Sequence, residues 1–146
     1  MGHSNFIILV FQFETSSLKV RYCETDQMGF VHHSNYLKYF ELARIDWLTK
    51  LGISYKKVEE SGVLLPVIYS EIKYLFPLKF DDVFFVKVGI EDLPVSRLKL
   101  NYEIGTNENK KICFGKVHLA FLNSRNNKPV RAPEKLTLVF QKHYDL

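Results

Sequence analysis

Residues 20–44, VRYCETDQMGFVHHSNYLKYFELAR, decide how this chain folds. A short strand predicted over 18–23 gives way to Thr25-Asp26-Gln27-Met28-Gly29. Asp26, three residues before Gly29, has the spacing of a type I turn. Val31, His32 and His33 then lead into a helix predicted from 35 to about 51, with Ser34 or Asn35 as N-cap and Gly52 as its stop. Tyr36, Phe40, Ala43 and Trp47 repeat at spacings of four, three and four. Leu37, Tyr39, Leu42, Ile45 and Leu48 widen that stripe until little of the circumference is polar. A helix apolar over most of its surface is predicted to be buried.

Downstream, Ser54 caps a second short helix running to about residue 61. Strands follow. Ile72, Tyr74 and Phe76 alternate with Glu71 and Lys73 until Pro77, and 83–90 (VFFVKVGI) is an apolar strand. Leu98, Leu100, Tyr102 and Ile104 alternate with Arg97, Lys99, Asn101 and Glu103, and GTNEN at 105–109 is a hairpin turn back into 111–122. Pro133 and Glu134 start a last helix with Leu136, Val139 and Phe140 on one face. Strands joined by short turns pair antiparallel, so the order predicts an α+β domain: one antiparallel sheet around one long helix. The absence of crossover helices excludes a doubly wound sheet.

With 146 residues, 47% hydrophobic and 25% charged, the chain has the size and balance of one globular domain. Residues 17–146 are assigned to that domain and 1–16 to an N-terminal extension. The apolar run 6–13 (FIILVFQF) is too short to span a bilayer and reads as an edge strand or a leader. Cys23 and Cys113 lie far apart with no CxxC, which predicts two reduced, buried thiols and a cytoplasmic protein. A net charge of +4 permits an anionic partner and disfavours nucleic acid as its target.

The chemistry concentrates around Asp26. A helix N-terminus presents unsatisfied N–H groups and a positive dipole end to any oxygen that carries partial negative charge. A carboxylate a few residues upstream can face the same pocket, and a carboxylate beside oxyanion donors is a minimal apparatus for acyl transfer. Asp26 reads equally as a turn former. His32 and His33 are adjacent, so their side chains diverge, and no ligand set accompanies them; no metal is expected. His118 reads as a hydrogen-bonded core residue, and Glu41 with Arg44 as a local helical ion pair.

Asp26-x-x-Gly29-x-Val31-x-His33-x-x-Tyr36, running into Glu41-x-Ala43-Arg44, resembles the signature of the hotdog-fold acyl-CoA thioesterases. The similar group is the 4-hydroxybenzoyl-CoA thioesterase-like set with the YbgC-type enzymes, and the resemblance spans roughly 17–140. It implies the hotdog fold and hydrolysis of an acyl-CoA or acyl-carrier thioester, with CoA as part of the substrate and no cofactor of the protein's own. It implies Asp26 as the carboxylate that attacks the thioester carbon or activates water, the two routes being open. The His33 backbone N–H would polarise the thioester carbonyl, and the His33 side chain would orient substrate or handle protons. Gly29 and Val31 would shape the turn, Tyr36 would line the acyl pocket, and His32 stands where the family has an aromatic. Arg131, in Arg131-Ala132-Pro133, is the expected nucleotide contact. The resemblance further implies a homodimer or homotetramer with substrate between subunits. Two other chemistries suit the same fold: enoyl thioester hydration, and acyl-thioester or carrier-protein binding without turnover.

Overall fold

A computed structural model describes residues 10–144. Helix α1, Ser34–Lys50, lies on the inner face of a six-stranded antiparallel sheet. The sheet contains β1 (Phe13–Glu14), β2 (Leu18–Lys19), β4 (Val67–Tyr74), β5 (Val83–Ile90), β6 (Arg97–Thr106) and β7 (Lys111–Ala120). Their spatial order is β1-β5-β6-β7-β4, with β2 paired to the other half of β5. Between α1 and β4 come α2 (Tyr55–Glu60) and β3 (Val63–Leu64); β8 (Leu122–Asn123) pairs with β3, and α3 (Glu134–Tyr144) closes the fold. This is the α+β hotdog arrangement expected of the sequence, one long helix against an antiparallel sheet.

Register explains why that helix stays. Val86 and Val88 of β5 stand opposite Ile104 and Tyr102 of β6, which stand opposite Cys113 and Gly115 of β7. Alternation puts these residues on one face, and all of them are buried. Phe40 stacks on Tyr102, centroids 4.4 Å apart at 14°, a pairing worth about 0.5–1.5 kcal/mol beyond its buried area. The place beside Tyr102 is held by Gly115, where a Cβ would collide with the Phe40 ring. The missing side chain lets α1 approach the sheet. Trp47 meets Phe140 of α3 at 5.1 Å, so the last helix covers the end of α1.

Several local expectations hold. Gly52 follows α1 at φ +83, Ser54 Oγ accepts the Lys57 N–H at 3.2 Å, and α3 begins at Glu134 with Leu136 and Phe140 buried. Others need correction. Helix α1 starts at Ser34 with His33 in the cap position, and it is not buried all round: Leu37, Leu42 and Ile45 are exposed because the sheet covers one side only. Strand β4 is one edge of the sheet and pairs with β7 alone, and Tyr74 and the following Phe76, the apolar side of the alternation, are exposed. The strand over 18–23 stops at Lys19 and turns into a 3-10 segment, Tyr22–Glu24, which leaves Cys23 exposed; only Cys113 is buried. His118 is half-buried, tilted against the Tyr69 ring at 4.9 Å rather than hydrogen-bonded in the core.

Of the apolar run 6–13, residues 6–9 lie outside the described residues. Its end does form an edge strand: Gln12 N–H donates to Val88 C=O at 3.1 Å, and the Gln12 amide both donates to and accepts from the Ile90 backbone. No helix among the described residues is long and apolar enough to cross a membrane.

Candidate active site

Asp26 stands where the chain turns back on itself. Thr25 and Val31 form an antiparallel bridge, and the Asp26 N–H donates to Phe30 C=O at 2.7 Å. The carboxylate Oδ1 accepts two N–H groups, from Met28 at 2.9 Å and from Phe30 at 3.2 Å. Gly29 closes the turn at φ +81 with open space around its Cα, so the requirement there is backbone conformation and not room. The reading of Asp26 as a turn former holds. Oδ1 builds the turn, while Oδ2 has no partner among the described residues.

The return arm of the turn is pinned before it enters α1. Val31 N–H donates to Leu78 C=O at 2.8 Å, and the Val31 side chain is buried. Glu24 C=O accepts two bonds, from the His32 N–H and from the Asn35 side-chain amide, each at 2.8 Å. His33 then takes the cap position at φ −54, ψ −29, and its side chain makes no cap bond. The cap is supplied one residue earlier. His32 Nδ1 accepts the Ser34 N–H at 3.2 Å and lies 2.8 Å from the Ser34 hydroxyl oxygen. The His32 and His33 rings stack at 4.3 Å. No acceptor among the described residues takes the His33 N–H, which points outward at the positive end of α1.

Asp26, Val31, His33 and Tyr36 line one open cleft of about 290 Å³, and the opposite wall is Tyr74 with the 75–77 segment that leaves β4. Tyr36 meets Tyr74 edge-on at 5.4 Å, and its hydroxyl oxygen accepts the Leu78 N–H at 3.3 Å. Burial raises the Tyr36 pKa above its ordinary value, so the phenol is neutral at any physiological pH. Asp26 and the His33 that begins α1 thus share an aromatic-walled cleft. Such a pair can hold a carbonyl oxygen on the N–H while the carboxylate acts on the carbonyl carbon or on water.

Gly29 and His32 do not line this cleft; they shape the turn and the helix start. Arg131 is not brought to it. It is exposed beside Ala132, whose N–H donates to Val95 C=O at 2.7 Å, so it stands at the β6 start, the far end of the sheet from Tyr74. Glu41 and Arg44 do pair, at 3.9 Å, but Arg44 is 5% exposed and its Nη1 also donates to the Tyr102 hydroxyl at 3.4 Å. Among the described residues no three His, Cys, Asp or Glu side chains are grouped as metal ligands would be. Sequence reasoning missed the wall formed by Tyr74, Leu75 and Phe76. Their alternation ahead of Pro77 was visible, but it signals a strand and not which strand is the edge.

A family model described as the thioesterase-like superfamily matches residues 20–140. The chain belongs to that superfamily. The matched span holds the whole Asp26 turn, α1 and strands β3 to β8, and the chain is a hotdog-fold thioester hydrolase. It is 30% identical over 129 residues to the acyl-acyl carrier protein thioesterase ATL3 of Arabidopsis thaliana, covering 88% of this chain and 68% of that one. It is 26% identical over 124 residues to the acyl-CoA thioesterase YbgC of Haemophilus influenzae, covering 84% and 90%. A solved DHNA-CoA thioesterase from Staphylococcus aureus superposes with a TM-score of 0.83 at 29% identity, over 90% of each chain.

Proposed function

We propose that this thioester hydrolase acts on an acyl-CoA, with Asp26 as its catalytic carboxylate and the His33 backbone N–H as its oxyanion donor. The observation that supports the reading is the shared cleft: Asp26 and His33 line one volume, and one Asp26 oxygen and the His33 N–H have no partner among the described residues. The thioester oxygen accepts the His33 N–H, which draws electron density from the carbonyl carbon. Asp26 then attacks that carbon directly or takes a proton from an attacking water. The C–S bond breaks, CoA leaves as a thiol, and water supplies the second oxygen of the acid. No resident cofactor is needed for this sequence of steps. One oxyanion donor contributes about 2.7–4 kcal/mol of transition-state stabilisation.

The acyl group lies along Tyr36 and Val31, which the cleft places next to the reacting atoms. The active unit is a homodimer or a homotetramer. Support comes from two apolar surfaces that one protomer leaves open: the β4 edge, with Val67, Ile68 and Tyr74, and the α1 face, with Leu37, Leu42 and Ile45. Two β4 edges pairing antiparallel would set the far end of one sheet beside the Asp26 end of the other. Arg131 of the second protomer then serves the CoA phosphates from there. Two free thiols suit a reducing compartment, and the cytoplasm is the proposed location.

Incubation with short, long and aromatic acyl-CoAs, read by thiol release, tests the reading. Free CoA and free acid in equal amounts are expected. Loss of 2-enoyl absorbance without thiol release would make the chain a hydratase. Saturable acyl-CoA binding with neither product would make it a binding module.

A further inference from the structure

Glu24 C=O ties the arm that leads into Asp26 to the return arm and to the start of α1. It closes the segment that carries Asp26 two residues later, and it holds both the His32 N–H and the Asn35 Nδ2 at 2.8 Å. Asn35 sits in the first turn of α1, buried, two residues after His33. Its side-chain bond crosses eleven residues of chain, from the helix that presents the oxyanion donor to the turn that presents the carboxylate. Asn35 is not among the residues that line the cleft. It touches neither the reacting atoms nor the acyl wall.

We propose that Asn35 is a positioning residue for thioester hydrolysis, its side-chain amide fixing the Asp26 carboxylate and the His33 N–H at one separation. The inference rests on the assignment of those two groups given above. The chemistry needs an amide at this position. The Glu24 oxygen is buried beside the helix start, so its partner must donate, and an ionised carboxylate of the same shape cannot. The Thr25–Val31 bridge and the Val31 and His32 N–H bonds hold the return arm ahead of the helix. The Asn35 bond ties the first turn of α1 itself to the Glu24 segment. A misplacement of about 1 Å between reacting groups costs on the order of 10²-fold in rate.

Two variants test this, alongside Asp26→Asn. Asn35→Ala is expected to lower kcat on an acyl-CoA about 10²-fold while KM stays within about threefold, because the acyl wall is untouched. The second variant, Asn35→Asp, keeps the size and shape of the side chain. Its protonated form can donate to Glu24 C=O and its ionised form cannot. The ratio of its kcat to wild type should therefore rise as pH falls from about 8 towards 5, whereas the Asn35→Ala ratio stays flat. Wild-type kcat in either Asn35 variant, an effect confined to KM, or a pH-independent ratio for Asn35→Asp would overturn the proposal. Wild-type turnover by Asp26→Asn would overturn the site assignment itself, which distinguishes the two failures.

Discussion

Asp26 Oδ1 accepts the Phe30 N–H at 3.2 Å, closing the turn with one oxygen of a carboxylate that lines the cleft and whose other oxygen has no partner among the described residues. Structure and chemistry use different atoms of one side chain. A substitution that keeps the first oxygen and neutralises the second can therefore separate them.

The oxyanion donor is a backbone group, so side-chain truncation should spare it. His33→Ala keeps the N–H and is expected to retain most turnover. His33→Pro removes it at a position whose φ of −54 suits proline. A fall of about 10²–10³-fold in kcat is expected for His33→Pro, with circular dichroism confirming α1. Equal loss in both variants would move the role to the imidazole.

The β4 edge predicts assembly. Ile68 is exposed on that edge, and Ile68→Lys would place a charge where two edges meet. Light scattering should show wild type as a dimer or tetramer and Ile68→Lys as a monomer with little thioesterase activity. A fully active wild-type monomer would contradict the proposed assembly.

Close approach of α1 to the sheet predicts a stability effect far from the cleft. Gly115→Ala would push a methyl into the Phe40 ring and cost about 1–3 kcal/mol, measured by denaturant unfolding. The Phe40 ring is fully buried and stacked on Tyr102, so it has nowhere to move. A neutral result would mean that α1 yields.

The two cysteines should differ sharply. Burial pushes the Cys113 thiol up to about 12, whereas Cys23 is exposed in the Tyr22–Glu24 segment. Thiolate is the reactive form, so a disulfide reagent at neutral pH should titrate one thiol quickly in native protein and two after denaturation. Two fast thiols without denaturant would show Cys113 to be accessible.

These outcomes reflect what a sequence can display. The span of α1, its glycine stop and the alternation of β6 were legible because each is set by residues near in sequence. The Asp26 turn and its helix were legible for the same reason, since 26 to 36 is continuous chain. Exposure of Leu37, Leu42, Tyr74 and Phe76 was not legible, because it depends on which strand becomes the edge. Buried polar residues were equally hidden. Glu103 looks like an outward residue of β6, yet it is buried with Lys87 at 3.6 Å and Lys111 at 3.3 Å. His32 looked like a substrate contact in an aromatic's place; its ring caps α1, a role visible only once the Ser34 N–H is located. The Asn35 bond to Glu24 joins two positions whose pairing no spacing announces.

The most direct measurement is thiol release from an acyl-CoA by Asp26→Asn. Asparagine keeps an acceptor oxygen for the Met28 and Phe30 N–H groups, so the turn and the melting temperature should persist. Turnover should fall by about 10²–10⁴-fold, the contribution of a positioned carboxylate. A folded Asp26→Asn protein that releases CoA at the wild-type rate would contradict the account.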